Sequence, residues 1–537
     1  MGDALSFSDP RWAQGCSHTH QRSLGFLFVT CIIVELFLLG STPMSLTHQV
    51  TPPQGASHPG GTLKRELAGR HIQLIAIGGC IGTGLFMGSG KTISLAGPSV
   101  ILVYAVIGFM LFFLMRAMGE LLLSNPNYKS FADAADDLLG PWAGFITGWS
   151  YWFAWIVTAI AEVIAIAGYM SFWWPDLPLW IPAVASVIGL LSINLLTVKA
   201  FGEIEFWFAL IKIVAILSLI VVGIAMVAMQ FVSPEGVPAR VDNLWSYGGF
   251  FPHGVMGMLA GFETAVFAFV GMEIVGTTAA EVKDPERVMP KAINTIPIRI
   301  LLFYIGTLLI LMIVTPWPQI SATSSPFVGM FSLAGFAGAA AVVNFVVVSS
   351  ALSSTNSGIY STSRMLYGLA SQRDAAALFG RLSQRGVPVN ALLLAGILLL
   401  SSAALLAADG TVMDAFQLVG SVASLLFIFI WTMIILSYLA FRQRRPECHA
   451  RSSFKMPGGR PMAIVVLLFF LGFLITLSLD AGNRSALLIL PVWFGLLGAI
   501  YFGVLRGQPH HRQRRRLHEE KVRNEKAAAA AFNGEIG

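Results

Sequence analysis

Two glycine-rich runs inside apolar stretches carry most of the chemistry on offer. The first is Ile77-Gly78-Gly79-Cys80-Ile81-Gly82-Thr83-Gly84-Leu85-Phe86, and the second is Phe267-Ala268-Phe269-Val270-Gly271-Met272-Glu273-Ile274-Val275-Gly276-Thr277. Each glycine costs a helix interior about 1 kcal/mol against alanine, so both runs are expected to interrupt their helices. Within a bilayer, an interruption survives only where protein or a water-filled cavity takes up the freed backbone groups. Those amides and carbonyls can then act as ligands, and a pair of interrupted segments points to a binding site. The candidate binding residues are therefore Cys80, Ile81, Gly82, Thr83 and Gly84 at the first break. At the second they are Phe267, Ala268, Phe269, Val270 and the carboxylate of Glu273.

Three charged residues within apolar segments need explaining, since each costs about 2.5 kcal/mol or more at a helix centre. They are Glu162, Lys212 and Glu273. Lys212 lies about two turns inside its segment. It can exchange a proton during a transport cycle, or clamp the carbonyls of a broken helix, and the two roles are compatible. Glu162 and Glu273 are candidate proton sites or partners of a base. Glu120, Glu203, Glu205 and Glu281 fall near segment ends, where gating or interfacial pairing is expected. Helix packing accounts for most of the small polar stripe Ser349–Gly358, with Ser353 and Asn356 as candidates to face a cavity.

The elements that must hold these residues follow from composition. Of 537 residues, 55% are hydrophobic and 12% charged, and the mean hydropathy is +0.73. Soluble domains carry about 25% charged residues. Repeated apolar runs of span length make this an all-α integral membrane protein of about twelve transmembrane helices. The expected spans are 72–96, 98–123, 143–173, 179–198, 204–230, 254–281, 293–316, 329–366, 388–408, 412–440, 461–479 and 485–505. The two breaks fall in spans one and six. An offset of five reverses direction, as in a five-plus-five inverted repeat with two helices appended.

Lys and Arg crowd the connections on one side, while Lys91, Arg240 and Arg484 stand on the other. This bias predicts both termini in the cytoplasm. The apolar run Leu24–Leu39 admits a signal peptide or an extra span, but residues 1–62 read best as an extension with Met44 as the natural start. Residues 63–505 are expected to form the transmembrane unit, and 506–537 a basic tail whose run Arg512–Arg516 is expected to be solvated near anionic lipid.

Other chemistries find little support. Gly88-Ser89-Gly90-Lys91-Thr92 mimics the end of a phosphate loop, but the glycine required five residues before Gly90 is Leu85. Neither a metal motif nor a nucleophile elbow is present, so no enzyme, cofactor or metal site is expected. The net charge of +6 is scattered through short loops and the tail, which argues against nucleic acid as a partner. The four cysteines show no paired spacing.

Several stretches resemble a known family. Ile81-Gly82-Thr83-Gly84-Leu85-Phe86, Ala96-Gly97-Pro98, Met118-Gly119-Glu120 and Glu281-Val282-Lys283-Asp284-Pro285-Glu286-Arg287 are similar to the signature of the amino acid–polyamine–organocation superfamily. Within it the chain resembles the bacterial amino acid transporter branch over about residues 63 to 505. The resemblance implies a five-plus-five inverted-repeat fold and proton-coupled uptake across the bacterial inner membrane. The implied substrates are small neutral amino acids: glycine, alanine and serine, D-enantiomers included. It implies that the substrate carboxylate meets the amides of Gly82, Thr83 and Gly84. The ammonium meets the carbonyls of Phe267, Ala268 and Val270. Phe269, with Phe267, forms an aromatic gate, and Lys212 is the family's lysine in span five. An amino-acid exchanger and a transport-fold nutrient sensor are the rival readings.

Overall fold

The structure, a computed structural model, describes residues 81–196, 198–233, 236–278, 284–333, 338–407, 411–479 and 484–536. Cys80, Glu281, the extension 1–62 and the Met44 start lie outside them. Among the described residues every regular segment is helical, and nine helices are long and apolar enough to cross a membrane. Two shorter apolar helices, Trp180–Asn194 and Gly254–Phe267, add spans four and six.

The described part of span one starts at its break. A short helix, Thr83–Phe86, runs through Met87 into Gly88–Ala96. Gly97 turns the chain with a left-handed φ of 59°, and span two follows as Val100–Ser124. Span three (Pro141–Met170) is buried along almost its whole length. Spans five (Val198–Ala228), eight (Ala339–Ser371) and ten (Val412–Arg444) are also long helices. Span eight starts later than expected, because Gly338 lies at φ 87° and a separate helix, Pro326–Leu333, precedes it. Span seven (Pro285–Val314) is one apolar rod that widens into a π-helical turn at Ile300–Gly306.

Span three packs along spans eight and ten, and span six packs along span one. Local chemistry fixes where the helices start. Ser130 and Asp133 form a capping box for the helix Phe131–Leu139, and Thr411 and Asp414 form another for span ten. Each satisfies amides that the first helical turn leaves without partners.

The basic tail folds as a helix, Pro509–Ile536, laid across one end of the bundle, hereafter the tail side. Arg512 and Arg516 stay exposed, as expected of a solvated run. Arg514 does not: its guanidinium reaches Asp136 Oδ1 at 2.6 Å and Asp374 Oδ2 at 3.1 Å. Lys521 pairs with Asp137 at 2.5 Å, and Glu525 bridges Arg444 and Arg445, each at 2.8 Å. Three carboxylates on the body, which the sequence reading did not pair with the tail, account for this docking.

Candidate substrate site

The two breaks meet. A Cβ added to Gly84 would stand 2.6 Å from Ala268 Cα and 2.8 Å from Ala268 N, closer than real side chains come. Gly84 is thus a close-approach residue between span one and span six. On span six, Gly254–Phe267 ends, the chain turns through Ala268–Glu273, and helix resumes at Ile274–Thr278. Gly271 makes the turn at φ 103°, a conformation that L side chains rarely adopt.

Each charged candidate has a defined place. Lys212 is fully buried, and its Nζ donates to the Ile81 carbonyl at 3.1 Å. Ser350 Oγ of span eight donates to the same carbonyl at 2.7 Å. The lysine therefore clamps the first break from span five. Glu162 of span three stands over the start of the resumed helix, with the Thr83 amide donating to its Oε1 at 3.4 Å. A Cβ on Gly82 would lie 2.6 Å from that same oxygen. An anion at a helix N-terminus is favoured there by the orphan amides and the helix dipole.

Glu273 is fully buried and accepts from the Gly271 amide at 3.3 Å. The indoles of Trp155 and Trp431 lie beside it. Gly358 makes room for Trp155, since a Cβ there would stand 2.5 Å from the ring. Beyond the break, Thr277 bonds Ser361, which bonds Tyr151, both at 2.9 Å. This ties the tail-side half of span six to spans eight and three.

The aromatic candidates differ in their surroundings. Phe269 stacks on Tyr304, with centroids 4.7 Å apart and planes 8° apart, and leans on Tyr104 at 5.5 Å. Tyr304 OH also donates to the Ala268 carbonyl at 3.0 Å. Phe267 faces span ten instead, edge-on to Phe416 at 5.5 Å and close to Gly420. The Phe267 carbonyl accepts from the Val270 amide at 3.2 Å.

One carboxylate lies deeper than the sequence reading placed it, and another, Glu263, was not singled out. Glu205 is not an interfacial residue. It is fully buried, accepts a short bond from Ser353 Oγ, and accepts from Asn356 Nδ2 at 3.3 Å. Asn356 in turn accepts from Asn194 of span four at 2.8 Å. Ser353 and Asn356 therefore serve this carboxylate. Span five begins earlier than expected, which carries Glu205 inside the bundle; counting turns from the true helix start would have found it. Glu263 of span six accepts from Ser421 of span ten at 2.9 Å, and it stood in the sequence as a charge within a span. Glu120, by contrast, pairs at the tail side as expected, with His449 at 2.5 Å and the Met456 amide at 2.8 Å.

Known proteins share this sequence over most of its length. Residues 71–510 match the amino acid permease family. The chain is 57% identical over 437 residues to the D-serine/D-alanine/glycine transporter of Escherichia coli (strain K12), covering 81% of this chain and 93% of that protein. It is 49% identical over 442 residues to the amino-acid permease AapA of Bacillus subtilis (strain 168), covering 82% and 94%. Similarity of this extent, over a chain whose interrupted spans meet inside a helical membrane bundle, makes it a multi-pass transporter rather than an enzyme and a member of the amino acid permease family.

Proposed function

We propose that the protein is a proton-coupled importer of D-serine, D-alanine, glycine and alanine in the bacterial cytoplasmic membrane, with both termini in the cytoplasm. Residues 63–505 serve as the transport unit and 506–537 as a cytoplasmic tail. The relative at 57% identity supports the substrate class. The observation that carries the coupling is the placement of Lys212 on the Ile81 carbonyl and Glu162 on the Thr83 amide.

The substrate zwitterion docks between the breaks. Its carboxylate takes the amides of Gly82, Thr83 and Gly84, and its ammonium takes the carbonyls of Phe267, Ala268 and Val270. Glu162 already stands at the Thr83 amide, and two carboxylates sharing one small site cannot both stay ionised without cost. A proton on Glu162 therefore frees the amide for substrate, so substrate and proton enter together. Lys212 holds the first break in register while the exchange occurs, and Glu273 fixes the second break through Gly271. Phe267, facing span ten, and Phe269, stacked on Tyr304, close over the bound substrate.

The test is uptake of labelled D-alanine into proteoliposomes with an imposed proton gradient, in competition with D-serine, glycine and L-alanine. Accumulation collapsed by an uncoupler and absent in Lys212→Ala is the expected result. Uptake that ignores the uncoupler and requires internal amino acid would make the protein an exchanger. Absence of flux would make it a sensor.

A further inference from the structure

Glu205 stands seven residues before Lys212 on span five. Seven residues are nearly two full helical turns, so the two side chains leave the same face about 10 Å apart along the axis. Lys212 reaches toward span one and the Ile81 carbonyl. Glu205 reaches toward span eight, where Ser353 and Asn356 hold it and Asn194 of span four holds Asn356. Ser350, which shares the Ile81 carbonyl with Lys212, and Ser353, which binds Glu205, stand about one turn apart on span eight. The carboxylates of Glu162 and Glu205 differ in what they are tied to. Glu162 touches Thr83 and Gly82 in the first break, while Glu205 belongs to the same helix as the lysine.

We propose that Glu205 is a positioning residue that acts as the resident counter-ion of Lys212. When the first break moves and the Ile81 carbonyl leaves the ammonium, Glu205 travels with Lys212 and keeps its charge compensated. This deepens the proton-coupled reading and rests on it. The groups placed around the pair are Asn194 on span four, Ser350, Ser353 and Asn356 on span eight, Ile81 on span one, and Glu162 on span three at the Thr83 amide. Arg364 of span eight, two turns beyond Asn356, lies over the Tyr360 ring.

The experiment measures D-alanine uptake by the reconstituted full chain across external pH, with and without uncoupler, beside counterflow exchange. Glu205→Gln keeps the size of the side chain and an acceptor for Ser353, and removes the charge. The expected result is an uptake midpoint moved to lower pH by about one unit, the shift expected of an opposite charge about 10 Å away at an effective dielectric of about 20, with exchange at low pH retained. An unmoved midpoint, with wild-type uptake sensitive to uncoupler, overturns this proposal alone. Wild-type uptake indifferent to pH and uncoupler overturns both readings. Glu205→Asp keeps the charge but shortens the reach to Ser353 and Asn356, which settles the matter if the glutamine variant fails to reach the membrane. It is expected to hold the wild-type midpoint. A moved midpoint, or lost transport at wild-type abundance, would mean that bond geometry rather than charge is what Glu205 supplies.

Discussion

Gly84 lies against Ala268 so closely that a single methyl group would collide with the backbone of the facing span, at 2.6 Å. Backbone cannot swing aside as a side chain can. Gly84→Ala must therefore push the two breaks apart, and overpacking of this kind costs about 1–3 kcal/mol. The expected outcome is uptake reduced about tenfold or more at unchanged membrane abundance. Gly82→Ala meets the side chains of Glu162 and Ser354 instead, which can rotate, so its loss should be smaller. Uptake by the two variants, normalised to protein in the membrane, checks the order.

Glu162 contacts the amide assigned to the substrate carboxylate. Replacing it with glutamine keeps an oxygen for Thr83 and removes the charge that a proton would otherwise have to neutralise. Glu162→Gln should bind D-alanine at alkaline pH as well as at acid pH. It should exchange substrate freely and fail to accumulate it against a gradient. Counterflow beside gradient-driven uptake separates these outcomes; accumulation that survives in the variant would remove Glu162 from the coupling step.

Tyr304 bonds the Ala268 carbonyl and stacks on Phe269. Tyr304→Phe keeps the stack and removes the hydroxyl. A typical hydrogen bond contributes about 0.5–1.5 kcal/mol net, so the carbonyl should lose its fixed direction and the apparent KM should rise about twofold to tenfold. Maximal rate should change less. An unchanged KM would mean that the carbonyl takes no part in holding the ammonium.

How much of this was readable in advance depended on the physics of each residue. Gly82, Gly84 and Gly271 were legible because glycine weakens an apolar helix and adds no side chain to its packing, which suits it to places where backbone bends or comes close. That span one meets span six followed from the reversed direction of segments five spans apart. Lys212 was legible as a charge in the wrong solvent, and its clamp on Ile81 was one of the two roles expected of it. Glu205 was misplaced because its depth depends on where span five begins, and a boundary error of a few residues moves a side chain from the interface to the core. Docking of Arg514 was invisible because its partners, Asp136 and Asp374, are remote in sequence and only the fold brings them together.

Among the groups that titrate where the tail docks, Asp374 on the body and His511 on the tail shift in opposite senses. Burial pushes the Asp374 carboxyl up to about 7, with the Arg514 guanidinium pulling it down. Burial, aided by Arg514 and His510, pushes the His511 imidazole down to about 4. A carboxyl whose docked value is raised binds its proton more tightly when docked, so docking gains from it as pH falls through about 7. An imidazole whose docked value is depressed must shed its proton to dock. Its contribution is intact above the free value of about 6.5 and is lost as pH falls toward about 4. In the wild type the two effects oppose each other, and protection of residues 509–526 against hydrogen exchange should vary little between pH 7.5 and 5 after correction for intrinsic rates. His511→Leu removes an imidazole that opposes Asp374, so protection should rise on acidification relative to the wild type. Asp374→Asn removes the buried carboxyl and leaves Arg514 paired with Asp136, so protection should fall more steeply on acidification than in the wild type. Identical pH dependence in the two variants would show that neither group titrates with docking.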